Sequence, residues 1–264
     1  MVQESNADRG GDVEDSRRRG QVGRVYFDLT SFDDAVEDVL GQAESGVVEG
    51  SVRLSNAWCV VLAEDDLNYA ALLNSAGRTF PDGKPVADML AHLHRSKSPE
   101  RVRGPSLFVA SLERSQGRAI THYFLGGTPE TLTKLTTQIG QSFPAAVVVG
   151  SWSPPFGPVT PTLIAEAVMR VEASGANIVW VGLGSPKQDH LAQAISVQSG
   201  VIAVGVGAAF DFVAGTVAEA PAWVQRIGGE WLFRLLAEPR RLWKRYIFGN
   251  SRFMLIALRQ LLRS

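Results

Sequence analysis

The chain has 264 residues, 45% of them hydrophobic, with 26 Lys and Arg against 27 Asp and Glu. Its formal charge of −1 excludes a uniformly basic nucleic-acid coat, and the single cysteine, Cys59, excludes an internal disulfide and an all-cysteine metal site. The length fits one large domain or two small ones with a substantial core.

Residues 1–24 are polar and mixed in charge, so they read as a disordered leader. Residues 25–223 read as an alternating core. A strand is predicted over 25–29, then a helix over 32–43 capped by Ser31. A short strand comes next over 52–54, then helical segments over 56–62 and 65–74, an extended piece at Thr79-Phe80 and a helix over 84–95. After these come a strand over 120–125, a helix over 129–139, a strand over 145–149 and a helix over 161–173. A strand over 177–181, a helix over 186–197 and a strand over 201–206 complete the pattern. Continuous apolar strands alternating with amphipathic helices predict an α/β fold, Rossmann-like, with a largely parallel sheet flanked by helices.

Residues 224–264 form a basic, helical C-terminal appendage. Nine basic residues there face only Glu230 and Glu238, giving the appendage +7 and the rest of the chain −8. That asymmetry leaves an anionic partner open: phosphate, pyrophosphate or a membrane surface. Pro239 is expected to separate a helix over 230–237 from the rest of the appendage. On a helical wheel Arg252, Arg259 and Arg263 share a sector opposite Met254, Leu258, Leu261 and Leu262. Such a helix either docks on its own domain or lies on an anionic membrane. No stretch approaches the roughly 20 apolar residues of a spanning helix, and the N-terminus lacks the apolar core of a signal peptide, so a cytoplasmic location is expected.

In open α/β sheets ligands bind beyond the carboxyl ends of the strands, at helix N-termini. Three glycine-bearing junctions fit: Gly126-Gly127-Thr128-Pro129, Gly182-Leu183-Gly184-Ser185-Pro186-Lys187-Gln188 and Gly205-Val206-Gly207. In the first two, Thr128 and Ser185 are expected to cap the helices they lead into, with Pro at the first helical position. None has P-loop spacing, and three in one sheet favour a nucleotide over three ordinary tight turns. Asp82 in Pro81-Asp82-Gly83 stands between an extended piece and a helix, where a carboxylate can face a cleft as a general base, although Pro-Asp-Gly is also a plain turn sequence. Asn56 reads as a helix cap or a hydroxyl ligand. Asp211, between two aromatics at an expected strand end, reads as a cap or a ligand contact. Gln188 and Asp189 open a helix, where they could meet a ribose or base or simply match the helix dipole. Cys59 reads as a buried structural thiol. The four histidines show no metal spacing, and no metal or cofactor is expected.

Taken in order, Pro81-Asp82-Gly83, the three glycine junctions, Phe210-Asp211-Phe212, Ala220-Pro221-Ala222-Trp223 and residues 230–240 resemble the WecG/TagA/CpsF glycosyltransferase family (glycosyltransferase family 26). The resemblance covers about residues 25–248. It implies an inverting, metal-independent transferase that moves N-acetylmannosamine or a related sugar from a UDP-sugar to a polyprenyl-diphosphate-linked sugar. The setting implied is the inner face of the cytoplasmic membrane, during synthesis of cell-surface or cell-wall glycan. It makes Asp82 the general base, with Asn56, Gly83, Gly127, Gly184, Lys187, Gln188, Gly205, Gly207 and Asp211 around the substrates. Arg234, Arg240, Arg241 and Arg245 become the diphosphate-binding arginines. Partners are then the UDP-sugar, the lipid-linked acceptor and an anionic membrane, with no nucleic acid and a homo-oligomer left open. The chain departs from many relatives in Leu54, where they have Thr, in Glu219, where they have Arg, and in Asp189, where they have Glu. Two other classes stay open. A nucleotide-dependent oxidoreductase would want GxGxxG in the first βα unit with an acidic residue about 20 positions on, and a non-catalytic membrane-binding module, with the appendage as its functional element, would bind anionic liposomes but not UDP.

Overall fold

The computed structural model describes residues 18–94 and 99–263, with the side chain of Arg241 outside the description. In chain order the elements are β1 (Arg19–Val22), β2 (Val25–Asp28), α1 (Phe32–Ser45), β3 (Ser51–Ser55), α2 (Ala57–Asp65), α3 (Leu67–Leu73), β4 (Gly77–Pro81), α4 (Lys84–His94) and α5 (Gly104–Arg114). They continue with β5 (Thr121–Gly126), α6 (Pro129–Ser142), β6 (Val147–Trp152), α7 (Pro161–Ser174), β7 (Ile178–Gly182), α8 (Lys187–Ser199), β8 (Ile202–Gly205), α9 (Ala209–Val213), α10 (Ala222–Arg226), α11 (Glu230–Ala237) and α12 (Pro239–Leu261).

Six strands form one sheet in the order β4-β3-β8-β7-β5-β6, with every neighbouring pair parallel. This is the expected Rossmann-like α/β architecture. The connections put helices on both faces, so the central strands are buried on both sides and carry continuous apolar runs such as Ile178-Val179-Trp180-Val181. One face is sealed by Phe108, Phe124, Trp180 and Phe210, whose rings meet edge-on or tilted at 5.1–5.7 Å. The other face packs Leu125, Val179, Val181 and Ala203 against Val171 of α7 and Leu191 and Ile195 of α8. Crossover direction reverses between β5 and β7: β5 runs through α6 outward to β6 over one face, while β7 runs through α8 the other way to β8 over the opposite face. That reversal opens a crevice at the strands' carboxyl ends.

The expected leader boundary is too late. Residues 19–22 are strand β1, paired antiparallel with β2, while residues 1–17 lie outside the described residues. The sequence of β1 is polar because only Gly20 and Val22 face inward. A methyl on Gly20 would stand 2.5 Å from His94 Nε2 and 2.9 Å from Leu90, so the hairpin lies directly on α4. Beneath it, a satellite core gathers Phe27, Cys59, Val60, Tyr69, Leu90 and Phe253.

A buried arginine joins β3, β4 and α3. Arg53 is 1% exposed, and burial lowers its guanidinium to about 10. Its donors reach the carbonyls of Arg78, Leu72, Ala76 and Ser75 and the hydroxyls of Thr79 and Ser75, so almost none of its hydrogen-bonding capacity is wasted.

The appendage docks on its own domain. Proline at the first position of α12 separates it from α11 as expected. The docked stripe is not the apolar sector expected from the wheel. Phe253, Ile256 and Ala257 face the satellite core, Gly249 sits on the Trp58 ring, and Gln260 bonds the β1–β2 turn. Arg252 forms a paired contact with Asp65 at 2.5 Å. Met254, Leu258, Leu261 and Leu262 remain exposed, as do Leu236, Ile247 and Phe248. Among the described residues no helix is long and apolar enough to cross a membrane.

Candidate active site

A cleft of about 870 Å³ opens where the topology reverses. Its walls come from the ends of β3, β4, β5, β7 and β8, the segment 153–159, the start of α5 and the two appendage helices α11 and α12.

Asp82 comes directly after β4, with its N–H donating to the Ser55 carbonyl at 3.0 Å as if the strand continued. Its carboxylate is aimed by two donors. The N–H of Gly104, at the start of α5, donates to Oδ1 at 3.0 Å, and Asn56 Nδ2 donates to Oδ2 at 3.4 Å. Asn56 also caps α2, accepting from Trp58 N at 3.0 Å, so the cap and the cleft readings hold in one side chain. Gly83 lies behind Asp82, where a methyl would stand 3.2 Å from Asn56 Cβ. It gives room for the Asp82–Asn56 approach and does not line the cleft, contrary to its expected substrate contact.

The glycine junctions all reach the cleft, but they are used differently than expected. Gln188 is 3% exposed, and its Oε1 accepts from Gly184 N at 3.0 Å and from Gly207 N at 2.9 Å. At these two junctions, expected to meet a nucleotide, the Gly184 and Gly207 amides are therefore held by a side chain that ties the β7 and β8 loops together. Gly205 lies under the same side chain: a methyl there would stand 3.0 Å from Gln188 Nε2. Gly126, at φ 120°, shows why β5 ends in glycine, since a methyl would meet the Gly182 carbonyl at 2.6 Å. Gly127 lines the cleft and accepts from Ser153 Oγ through its carbonyl at 2.7 Å. Thr128 caps α6 as expected, accepting from Thr131 N. Ser185 does not cap α8: Pro186 occupies the cap position and the helix begins at Lys187.

Asp189 faces away from the cleft. It is 1% exposed and accepts from Tyr69 Oη at 2.6 Å, and burial raises its carboxyl above the usual range. Asp211 lines the cleft from the first turn of α9, not from a strand end, and accepts from Thr216 Oγ1 at 3.2 Å. Lys187 lines the cleft beside Phe156, donating to the Gly157 carbonyl at 2.6 Å.

The appendage closes the cleft with Arg234 and Arg245. The buried Nε of each has no hydrogen-bond partner among the described residues. Arg234 also lies over the Phe212 ring at 5.7 Å. Arg240 is exposed and outside the cleft, which corrects its expected role. The Arg241 side chain lies outside the described residues.

Two lining arginines were not expected. Arg101 Nε donates to the Asp82 carbonyl at 2.5 Å and its Nη2 reaches Glu230 of α11. Arg103 Nε donates to the other Glu230 oxygen at 2.6 Å, and its Nη2 stands 2.5 Å from Glu219. Both arise from the segment leading into α5. The signal was present in Gly104-Pro105 and then Leu107, Phe108, Ser111 and Leu112 at helical spacing. Leu54, standing where many relatives have Thr, lines the cleft with an apolar side chain.

An aimed carboxylate in one cleft with two arginines whose buried Nε–H groups are unpartnered, at the switch point of a parallel sheet, suits transfer of a group from an anionic donor. The fold and the ordered motifs agree with a glycosyltransferase. The profile of the glycosyl transferase WecG/TagA/CpsF family matches residues 21–264, and the chain belongs to that family. Membership carries transferase activity with a sugar donor and an acceptor, in the synthesis of cell-surface glycan, and sets aside the oxidoreductase alternative.

Proposed function

We propose that this chain is an inverting transferase that moves an N-acetylmannosamine-like sugar from a UDP-sugar to a polyprenyl-diphosphate-linked sugar. The observation that carries the reading is Asp82, held on the cleft wall by Gly104 N–H and Asn56 Nδ2 opposite the arginines of the appendage. Asp82 takes the proton of the acceptor hydroxyl as that oxygen attacks the anomeric carbon from the face opposite the nucleotide. The bond from the anomeric carbon to the β-phosphate oxygen breaks, and UDP departs with the bonding pair. Negative charge grows on the departing diphosphate, where the unpartnered Nε–H groups of Arg234 and Arg245 and the Lys187 ammonium can meet it. Gln188 supports this by fixing the loops that bound the nucleotide.

The appendage supports peripheral attachment to the inner face of the cytoplasmic membrane. Leu236, Ile247, Phe248, Met254, Leu258 and Leu262 are each more than half exposed, on helices that also carry Arg240, Lys244 and Arg259. An apolar face rimmed by cations suits an anionic lipid surface, where the acceptor's lipid would lie. We read the chain as two units: the core to residue 223, and the appendage over 224–264 that closes the site.

Asp82→Asn tests the catalytic role. Transfer from a UDP-sugar to a short polyprenyl-diphosphate sugar should fall by about 100-fold or more, on the order of a lost general base, while UDP binding is kept. Turnover near the wild-type rate would remove Asp82 from the mechanism.

A further inference from the structure

Building on the nucleotide-sugar reading, we propose that Glu219 and Glu230 set donor specificity, so that the transferred sugar is uncharged and a uronate-bearing donor is rejected. The argument starts at the Asp82 end of the cleft. Asp82 faces the attacking hydroxyl, so the sugar ring lies between Asp82 and the diphosphate. The cations beside Asp82 are Arg101, bonded to its carbonyl, and Arg103, adjacent to the Gly104 that aims its carboxylate. These two are the guanidiniums a sugar carboxylate at that end would seek, because Arg offers a fork matched to a carboxylate.

Both are already taken. Glu230 spans them, accepting from Arg101 Nη2 on one oxygen and from Arg103 Nε, at 2.6 Å, on the other. Glu219 covers a further edge of Arg103 at 2.5 Å. The Arg103 side chain is only 12% exposed and also lies over the Phe212 ring at 5.9 Å, so it cannot swing to a second partner without breaking these contacts. Two guanidiniums stand against the carboxylates of Glu219, Glu230 and Asp82 itself, so neither Arg101 nor Arg103 carries charge left unmatched for a ligand. An entering carboxylate would have to displace one of the glutamates and would be repelled by both, whereas hydroxyl and acetamido groups meet no such penalty. The sign reversal at Glu219 thus has a partner in space, Arg103, and a consequence for the ligand.

The test is calorimetric titration of the full chain with UDP, a UDP-N-acetylhexosamine and the matching UDP-N-acetylhexosaminuronate. The proteins compared are the wild type, Glu219→Gln and Glu219→Gln/Arg103→Gln. The Glu219 side chain is 40% exposed, so the single variant should keep the fold. We expect the wild type to bind the neutral donor at least about tenfold more tightly than the uronate. Glu219→Gln should narrow that ratio by about tenfold, the effect of one charge-assisted hydrogen bond gained by the uronate. Removing Arg103 as well should restore the ratio, with UDP affinity as the reference in all three. Equal binding of the two donors by the wild type overturns the proposal alone. So does a ratio unmoved by Glu219→Gln, or a narrowed ratio that persists without Arg103. Failure to bind UDP or either donor overturns the nucleotide-sugar reading, and this proposal with it.

Discussion

His122 offers a quantitative test of the sheet that carries the cleft. It is fully buried on β5 between two partners: Trp180 Nε1 donates to Nδ1 at 3.1 Å, and Ser115 Oγ lies 2.8 Å from Nε2. An indole N–H can only donate, so Nδ1 is the acceptor and the neutral ring carries its proton on Nε2. Ser115 in turn donates to the Leu112 carbonyl at 3.0 Å, which completes the chain. Protonating Nδ1 would remove the acceptor for Trp180 and place a charge in the apolar core. Burial accordingly lowers the imidazole from 6.5 to about 4. The unfolded chain takes up this proton near pH 6.5 and the folded chain only near 4. Stability from the neutral ring is therefore intact above pH 6.5 and is lost as the pH falls through that window. At about 1.4 kcal/mol per pH unit the full loss is about 3 kcal/mol, with about 2 kcal/mol already gone at about pH 5. Urea unfolding at about pH 7 and about pH 5 measures it against His122→Asn, which keeps an acceptor and does not titrate. The wild type should lose about 2 kcal/mol more than the variant between the two pH values. Equal losses would refute the reasoning, because they would mean the ring is charged or solvated in the folded state.

Two further outcomes concern the appendage. Phe253→Ala removes the ring that α12 buries in the satellite core and should cost about 3–5 kcal/mol, read as a lowered urea midpoint. A loss under about 1 kcal/mol would show that α12 is not packed on α2 in solution. Leu258→Glu with Leu262→Glu changes exposed positions, so the unfolding free energy should stay within about 0.5 kcal/mol. Cosedimentation with vesicles containing phosphatidylglycerol should nevertheless fall several-fold, and unchanged cosedimentation would place the membrane-facing surface elsewhere.

The parallel sheet was legible because its signals are local. Apolar runs mark β5, β7 and β8, and hydroxyl-Pro or glycine punctuation marks the turns after them. The features that escaped depend on tertiary contact. The polar strand β1 exists because α4 and α12 cover it, and nothing in Arg19-Gly20-Gln21-Val22 announces that. Helix α5 begins without a side-chain cap, and with it went Arg101 and Arg103, whose roles depend on acids more than a hundred residues later. The cleft glycines are visible as punctuation after the strands, but their sequence does not show that Gln188 accepts from two of their amides from inside. The wheel separates Arg252, which meets Asp65, from the apolar sector that stays exposed. It could not choose the docked side, because Gly249, Gln260 and Trp58 decide that through shape and hydrogen bonding more than through hydrophobicity.

Gln260 has a consequence for how the chain is assembled. Its amide oxygen accepts from Gly23 N at 2.9 Å, and its nitrogen donates to the Gln21 carbonyl at 2.8 Å, across 237 and 239 residues of sequence. The first hairpin of the fold is thus completed by its last helix. During synthesis β1 and β2 must wait, half covered, until residues near 260 have emerged, and closing so long a loop is slow relative to forming the βα units between them. The same helix that seals the hairpin through Gln260 also brings Arg245 to the cleft, so whatever loosens α12 loosens both at once.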